Sequence, residues 1–306
     1  MNTFLNRSGI LASFAGLLIV VGCAREQSVK SPVSQPAYAS ASSAPPAVSM
    51  SPLDQKRVDR NCVFGELVLH PLWNFGPTDL VPRGGYVLMH SATEKIPLWV
   101  AEYIEKSQLT GSLARADKFQ PDPLLKPGRR AELIDYKGSG YDRGHQAPAG
   151  DQTVDARLKA ETFYLSNMAP QVPALNQQAW RELETLVRNW ILERGSGYVI
   201  TGPMFYDTNK TNTQPGGDIA DYKAIGPDRV AVPTHFFKIV VAKDANGRWQ
   251  SIAFVLENRK YTKPYDFAKD IKSITWIEQH TGINFMPQLD ALEQRRMEAS
   301  ASPMWN

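Results

Sequence analysis

Cysteine is nearly missing from this 306-residue chain, which has only Cys23 and Cys62. Structural zinc modules need several closely spaced cysteines or Cys/His pairs, so that class is excluded. If Cys23 is modified, Cys62 has no partner within the chain and no intramolecular disulfide can form. Cys62 then reads as a small apolar residue buried in a strand. Long apolar runs are also missing. The longest, "GILASFAGLLIVVG" at residues 9–22, is shorter than the roughly 20 residues a spanning helix needs. An excess of one charge is missing too. The 34 Lys and Arg against 31 Asp and Glu leave a formal net charge of +3, so bulk electrostatics does not mark a nucleic-acid binder. Histidine is scarce, with five in the chain, so each one calls for a reason.

What is present is ordinary for a globular protein, with 42% apolar and 21% charged residues. Arg7 followed by the apolar run reads as a signal-peptide core over residues 1–22. "IVVGC" ends on Cys23 and resembles the bacterial lipobox, whose cysteine is lipidated after cleavage. By resemblance to the sorting rules of such lipoproteins, Ala24 directs the protein to the outer membrane, facing periplasm or exterior. A plain secretory signal is the other reading. Residues 23–51 are rich in Ser, Ala and Pro and bury too little apolar surface to fold. As a flexible tether they would reach roughly 30 Å on average.

One domain is expected over residues 52–290, followed by a tail at 291–306. "CVFGELVL" (62–69), "GYVLMHS" (85–91), "IPLWVAEYIE" (96–105) and "GYVIT" (197–201) read as strands. "HFFKIVVA" and "RWQSIAFVLE" flank "KDANG" as a hairpin. "LNQQAWRELETLVRNWILERG" (175–195) carries apolar residues at helical spacing and stops at Gly195. "DFAKDIKSITWIEQHTG" (266–282) reads as a second helix. Strands with few, segregated helices predict an α+β fold with a largely antiparallel sheet.

"YDRGHQAPAGD" (141–151) sets His145 beside Asp142, Arg143 and Gly144. Imidazole, with a reference pKa of about 6.5, can act as a base near neutral pH. A guanidinium fork suits phosphate. On these residues alone, a structural and a catalytic His145 stand level. Further on lie Asn167, Asn176, Glu184 and Arg188. At 3.6 residues per turn, Asn176 and Glu184 differ by about 80° in azimuth, and Arg188 follows Glu184 by one turn. The bland reading makes Asn176 an N-cap and Glu184–Arg188 a solvated ion pair.

"DRGHQAP", "YLSNMAPQ" and "LNQQAWRELE", in this order and spacing, resemble the DNA/RNA non-specific endonucleases of the ββα-metal (His-Me finger) type. "IPLWVAEYI", "ARADKFQPDP", "YVITGPMF" and "AVPTHFFKIV" extend the resemblance over about residues 62–286. It implies an endonuclease that cleaves DNA and RNA without sequence specificity and leaves 5′-phosphate ends. His145 would be the general base. Asn176 would be the protein ligand of one Mg²⁺, with Mn²⁺ or another divalent ion as substitutes. Glu184 would hold water of the metal's shell. Asn167 would lie near the metal or position His145. Arg143, Arg188 and, in "ARADKFQPDP", Arg115 would contact phosphate. Asp142 belongs to the site by resemblance alone.

Two other classes remain: a non-catalytic surface lipoprotein that binds nucleic acid, and a phosphodiesterase acting on small diesters. No recognition helix, zinc finger or RNA-binding signature adds base specificity. Trp73, Trp99, Trp180 and Trp190 sit in apolar segments and read as core. His70, His90, His235 and His280 read as structural, with His280 near a helix C-terminus. The oligomeric state stays open, a homodimer included.

Overall fold

The computed structural model describes residues 50–69, 75–114, 118–207 and 221–305. The expected leader, Cys23 and most of the tether lie outside the described residues, as do His70, Trp73 and Arg115. The fold begins with α1 (Pro52–Asn61), where Ser51 caps the helix by accepting from the Asp54 N–H and Pro52 occupies the first turn. Both are standard start signals. Short β1 (Val68–Leu69) follows, then β2 (Thr78–Pro82), β3 (Val87–Ser91) and β4 (Pro97–Glu105). Next come α2 (Leu133–Tyr136), β5 (Asp142–His145), α3 (Ala156–Glu161), β6 (Met168–Gln171) and α4 (Arg181–Arg194). The chain continues through β7 (Ser196–Met204), β8 (Lys223–Ile225), β9 (Val230–Val232), β10 (His235–Lys243) and β11 (Trp249–Glu257). It closes with β12 (Ile271–Lys272), α5 (Ile274–Thr281), β13 (Ile283–Asn284) and α6 (Ala291–Glu298).

A seven-stranded sheet in the order β12-β11-β10-β7-β4-β3-β2 organises these elements. Every pairing in it is antiparallel. The hairpin expected around "KDANG" is there, with Asp244 Oδ1 accepting from the N–H groups of Asn246 and Arg248. The sheet is covered on both faces, which explains why β10 is apolar at most positions, with Lys238 the exception in its interior. Phe236, Val240 and Ala242 enter the core under α4. Phe237, Ile239 and Val241 enter a second core with α1 and α5 residues. Trp99, Trp180 and Trp190 are buried as expected, and His90 is fully buried.

Three expectations need correction. Cys62 is buried but not in a strand: its N–H closes α1 on the Val58 carbonyl. Gly65, at φ +100°, turns the chain there, so strand pairing in 62–69 is confined to Val68–Leu69. Burial pushes the Cys62 thiol up to about 12. Residues 266–282 are not one helix. Ile271 and Lys272 pair with the sheet edge at Phe254 and Ala253, and Ser273 then caps the shorter α5 through the Trp276 N–H. Edge pairing outweighs local helix propensity there. Finally, the segment expected as a tail contains α6. Its Met297 belongs to the second core, and Trp305 packs against Trp190 beneath α4.

Candidate active site

The strand β5 carries the first site residues and pairs antiparallel with β6, with His145 opposite Met168 and Gly144 opposite Ala169. A π-helical segment, Leu175–Trp180, then leads into α4. Two strands and a helix thus form the ββα unit, laid on the sheet through Leu175, Leu183, Val187 and Ile191. The wider turn changes the azimuth of Asn176, so the 80° estimate from regular 3.6-residue geometry does not apply. Nor is Asn176 an N-cap: Ala174 takes that position.

Between these elements opens a cleft of about 960 Å³. Asp142, Arg143, His145, Asn176, Glu184 and Arg188 all line it. Gly144 is required by packing rather than by its torsions. A Cβ there would sit 2.2 Å from Gln171 Oε1 and 2.6 Å from its Cγ. His145 is 8% exposed, with the Phe163 ring edge-on at 5.0 Å and Phe119 at 5.6 Å. Arg143 lies with its guanidinium carbon 4.2 Å from the Phe119 ring centroid, a cation–π contact that holds the head group at the cleft wall.

Asp142 finds a clear role. Its Oδ2 accepts from Asn176 Nδ2 at 2.9 Å and from Gln177 Nε2 at 2.8 Å. An ionised carboxylate can only accept, so the Asn176 amide must turn its NH₂ toward Asp142. The oxygen Oδ1 is left as the atom that can meet a cation. Asn167 is fully buried behind the cleft wall. Its Oδ1 accepts from the Ala147 N–H, and its Nδ2 donates to the Ala147 and Thr162 carbonyls, each at 2.9 Å. These bonds hold the backbone just after His145.

Arg188 donates to Asp151 Oδ1 at 3.0 Å and to Thr185 Oγ1 at 3.1 Å. Burial opposes its charge, but Asp151 and Glu184 outweigh that and hold it firmly cationic. Gly150 makes room, since a Cβ there would lie 3.0 Å from the Arg188 Nη1. Several cleft residues escaped the sequence reading: Phe119, Tyr136, Tyr141, Gln177 and Arg181. Gln177 and Arg181 share the polar side of the helix and could have been found by extending that stripe. The others come from loops and α2, with no periodic signal. Asp151 sits in the quoted stretch, but its bond to a helix 37 residues away is a tertiary fact.

The ββα unit with its cationic, histidine-bearing cleft is that of a phosphodiester hydrolase of the ββα-metal fold. The chain belongs to the DNA/RNA non-specific endonuclease family, whose model matches residues 76–292. It is 35% identical over 215 residues to mitochondrial endonuclease G of Homo sapiens, covering 70% of this chain and 71% of that protein. It is 33% identical over 216 residues to Nuclease C1 of Cunninghamella echinulata, covering 69% of this chain and 84% of that one. A solved structure of the EndoG/EndoGI complex, which describes the mechanism of EndoG inhibition, superposes with a TM-score of 0.67 at 28% identity. It covers 79% of this chain and 95% of that one. The protein is accordingly a DNA/RNA non-specific endonuclease.

Proposed function

We propose that hydrolysis here uses His145 as general base and one divalent cation, Mg²⁺ by preference, on Asn176. The observation that carries this is the Asp142–Asn176 bond, which leaves the Asn176 amide oxygen for a cation in the cleft that His145 and Glu184 also line. Hard oxygen donors of this kind suit Mg²⁺, which keeps most of its water. Among the described residues no three His, Cys, Asp or Glu side chains gather as a metal cluster, so the amide would be the cation's anchor. A cation bound there supplies charge neutralisation at the phosphate and its leaving oxygen.

The chain's own residues do the rest. His145 removes a proton from water as the water oxygen forms its bond to phosphorus. The bond from phosphorus to the 3′-oxygen breaks, which leaves a 5′-phosphate end. Arg143 and Arg188 stabilise charge growing on the phosphate oxygens. Glu184 would order water in the shell of such a cation. Phosphate contacts carry no base information, which accounts for cleavage without sequence preference.

Protein lacking residues 1–51 should degrade plasmid DNA and RNA with Mg²⁺, and EDTA should stop it. His145→Ala should lower the rate about 10²–10⁴-fold, the range of general-base catalysis. Full activity in that variant would remove His145 as the base. We further infer from the sequence that lipid on Cys23 holds the domain at a bacterial envelope membrane. Among the described residues, no helix is long and apolar enough to cross one. Cys23→Ser should release the protein from the membrane fraction, and retention there would remove the anchor.

A further inference from the structure

A lysine in the middle of a central strand is costly. Lys238 of β10 is 1% exposed and lies on the sheet face that packs under α4. Its Nζ donates to Thr201 Oγ1 on β7 at 2.6 Å and sits 5.0 Å from the Trp180 ring centroid, where the helix of the site begins. Asp151, 3% exposed, lies in the same cluster and holds Arg188. Glu102 of β4, 1% exposed, is two residues before Ile104 on the same face. Glu102, Asp151, Glu184 and Arg188 all lie close enough to act on Lys238 through their charge, and Asp151 pairs directly with Arg188.

Burial raises the Glu102 carboxyl well above its ordinary value, and Asp151 adds to this while Lys238 and Arg188 oppose it. Burial also raises Asp151, against the pull of Arg188 and Lys238, and draws Lys238 down, against Glu184, Glu102 and Asp151. Breaking such a buried set by removing one partner leaves its opposite charge uncompensated. An apolar side chain at position 238 would complete the core at no such cost, and the neighbouring positions of β10 are apolar. The feature that distinguishes position 238 is its place against Trp180, where the helix that carries Glu184 and Arg188 begins.

We propose that Lys238 and Asp151 are positioning residues that fix the charge and direction of Arg188 and Glu184 at the cleft, an inference that rests on the roles given to those two residues above. Asp151 grips the Nη1 of the Arg188 guanidinium while Thr185 takes Nη2, which together fix the head group at the cleft wall. Lys238 supplies positive charge that, with Arg188, favours the ionised form of the buried Asp151. Neither residue lines the cleft, so neither touches substrate.

The test is steady-state cleavage of plasmid DNA by the full chain carrying Asp151→Asn or Lys238→Met, with a thermal melt to establish folding. Each variant should lower kcat about 10-fold or more while KM moves less than about threefold, since aim and charge matter most when the phosphate gains charge. Asp151→Asn should then cost less than about twofold in an Arg188→Ala background, because the two act through one contact. A merely structural role would lower the melting temperature and add its loss equally in both backgrounds. Wild-type kcat in folded Asp151→Asn or Lys238→Met, or full additivity with Arg188→Ala, overturns the proposal. Where Lys238→Met does not fold, the Asp151–Arg188 cycle decides. No cleavage by the unaltered chain would instead sink the reading of the site itself.

Discussion

Asp142→Ala should disarm the site without unfolding the protein. In the native cleft the Asp142 carboxylate accepts from Asn176 at 2.9 Å and from Gln177 at 2.8 Å. The Gln177 side of this fork is exposed and adds little. The Asn176 side is part-buried, and a hydrogen bond to a charged group there is worth about 1.5–3 kcal/mol. Without it the Asn176 amide can rotate by half a turn and present NH₂ where a cation needs oxygen. At 1.36 kcal/mol per factor of ten, the lost orientation corresponds to about 10- to 100-fold in metal affinity or rate. The assay is the initial rate of plasmid cleavage against Mg²⁺ concentration, beside a thermal melt. Half-saturating Mg²⁺ should rise by that factor while the melting temperature changes little. Asp142→Asn keeps one acceptor oxygen and should fall between the two. An Asp142→Ala enzyme with unchanged Mg²⁺ requirement and rate would refute the claim that Asp142 aims Asn176.

Gly144→Ala places a Cβ against the buried Gln171 side chain; overpacking of this kind costs about 1–3 kcal/mol, so a lower melting temperature and reduced cleavage are expected together, and a neutral substitution would contradict the packing. Glu298 reports on α6. Burial, with Glu278 beside it, pushes this carboxyl up to about 8 from 4.5. The folded state therefore binds more protons than the unfolded one between those values, and stability falls as pH rises through that window. Glu298→Gln should match the wild type near pH 5 and melt higher at pH 8.5, by about 2–4 °C per kcal/mol recovered. An equal difference at both pH values would refute the assignment.

Local pattern made much of the sheet legible. The strands β3, β4, β7, β10 and β11 are apolar runs bounded by glycine, proline or charge, and a single turn signal joins β10 to β11. The helix of the site was legible from its apolar stripe and from Gly195, which stops it at φ +91°. Where two local signals competed, pattern was insufficient. Residues 266–282 have helical spacing, but the vacant edge of β11 takes Ile271 and Lys272 first. The stretch at 62–69 alternates like a strand, yet Gly65 turns it and Cys62 ends a helix.

By itself the sequence determined the chemical inventory. A histidine beside arginine and glycine, then an asparagine, a glutamate and a second arginine at set spacings, carried the resemblance to the family. Tertiary structure decided which partner each side chain meets. Asp142 accepts from Asn176, Asn167 braces the backbone behind His145, and Asp151 pairs with Arg188. Lys238, a charge within an apolar strand, meets Thr201 and Trp180 only once the sheet and the helix of the site are packed. The reason is physical. Residue type and spacing set what a group can donate, accept or ionise. Which partner it meets, and how far water is excluded, depends on segments distant in the chain that only packing brings together.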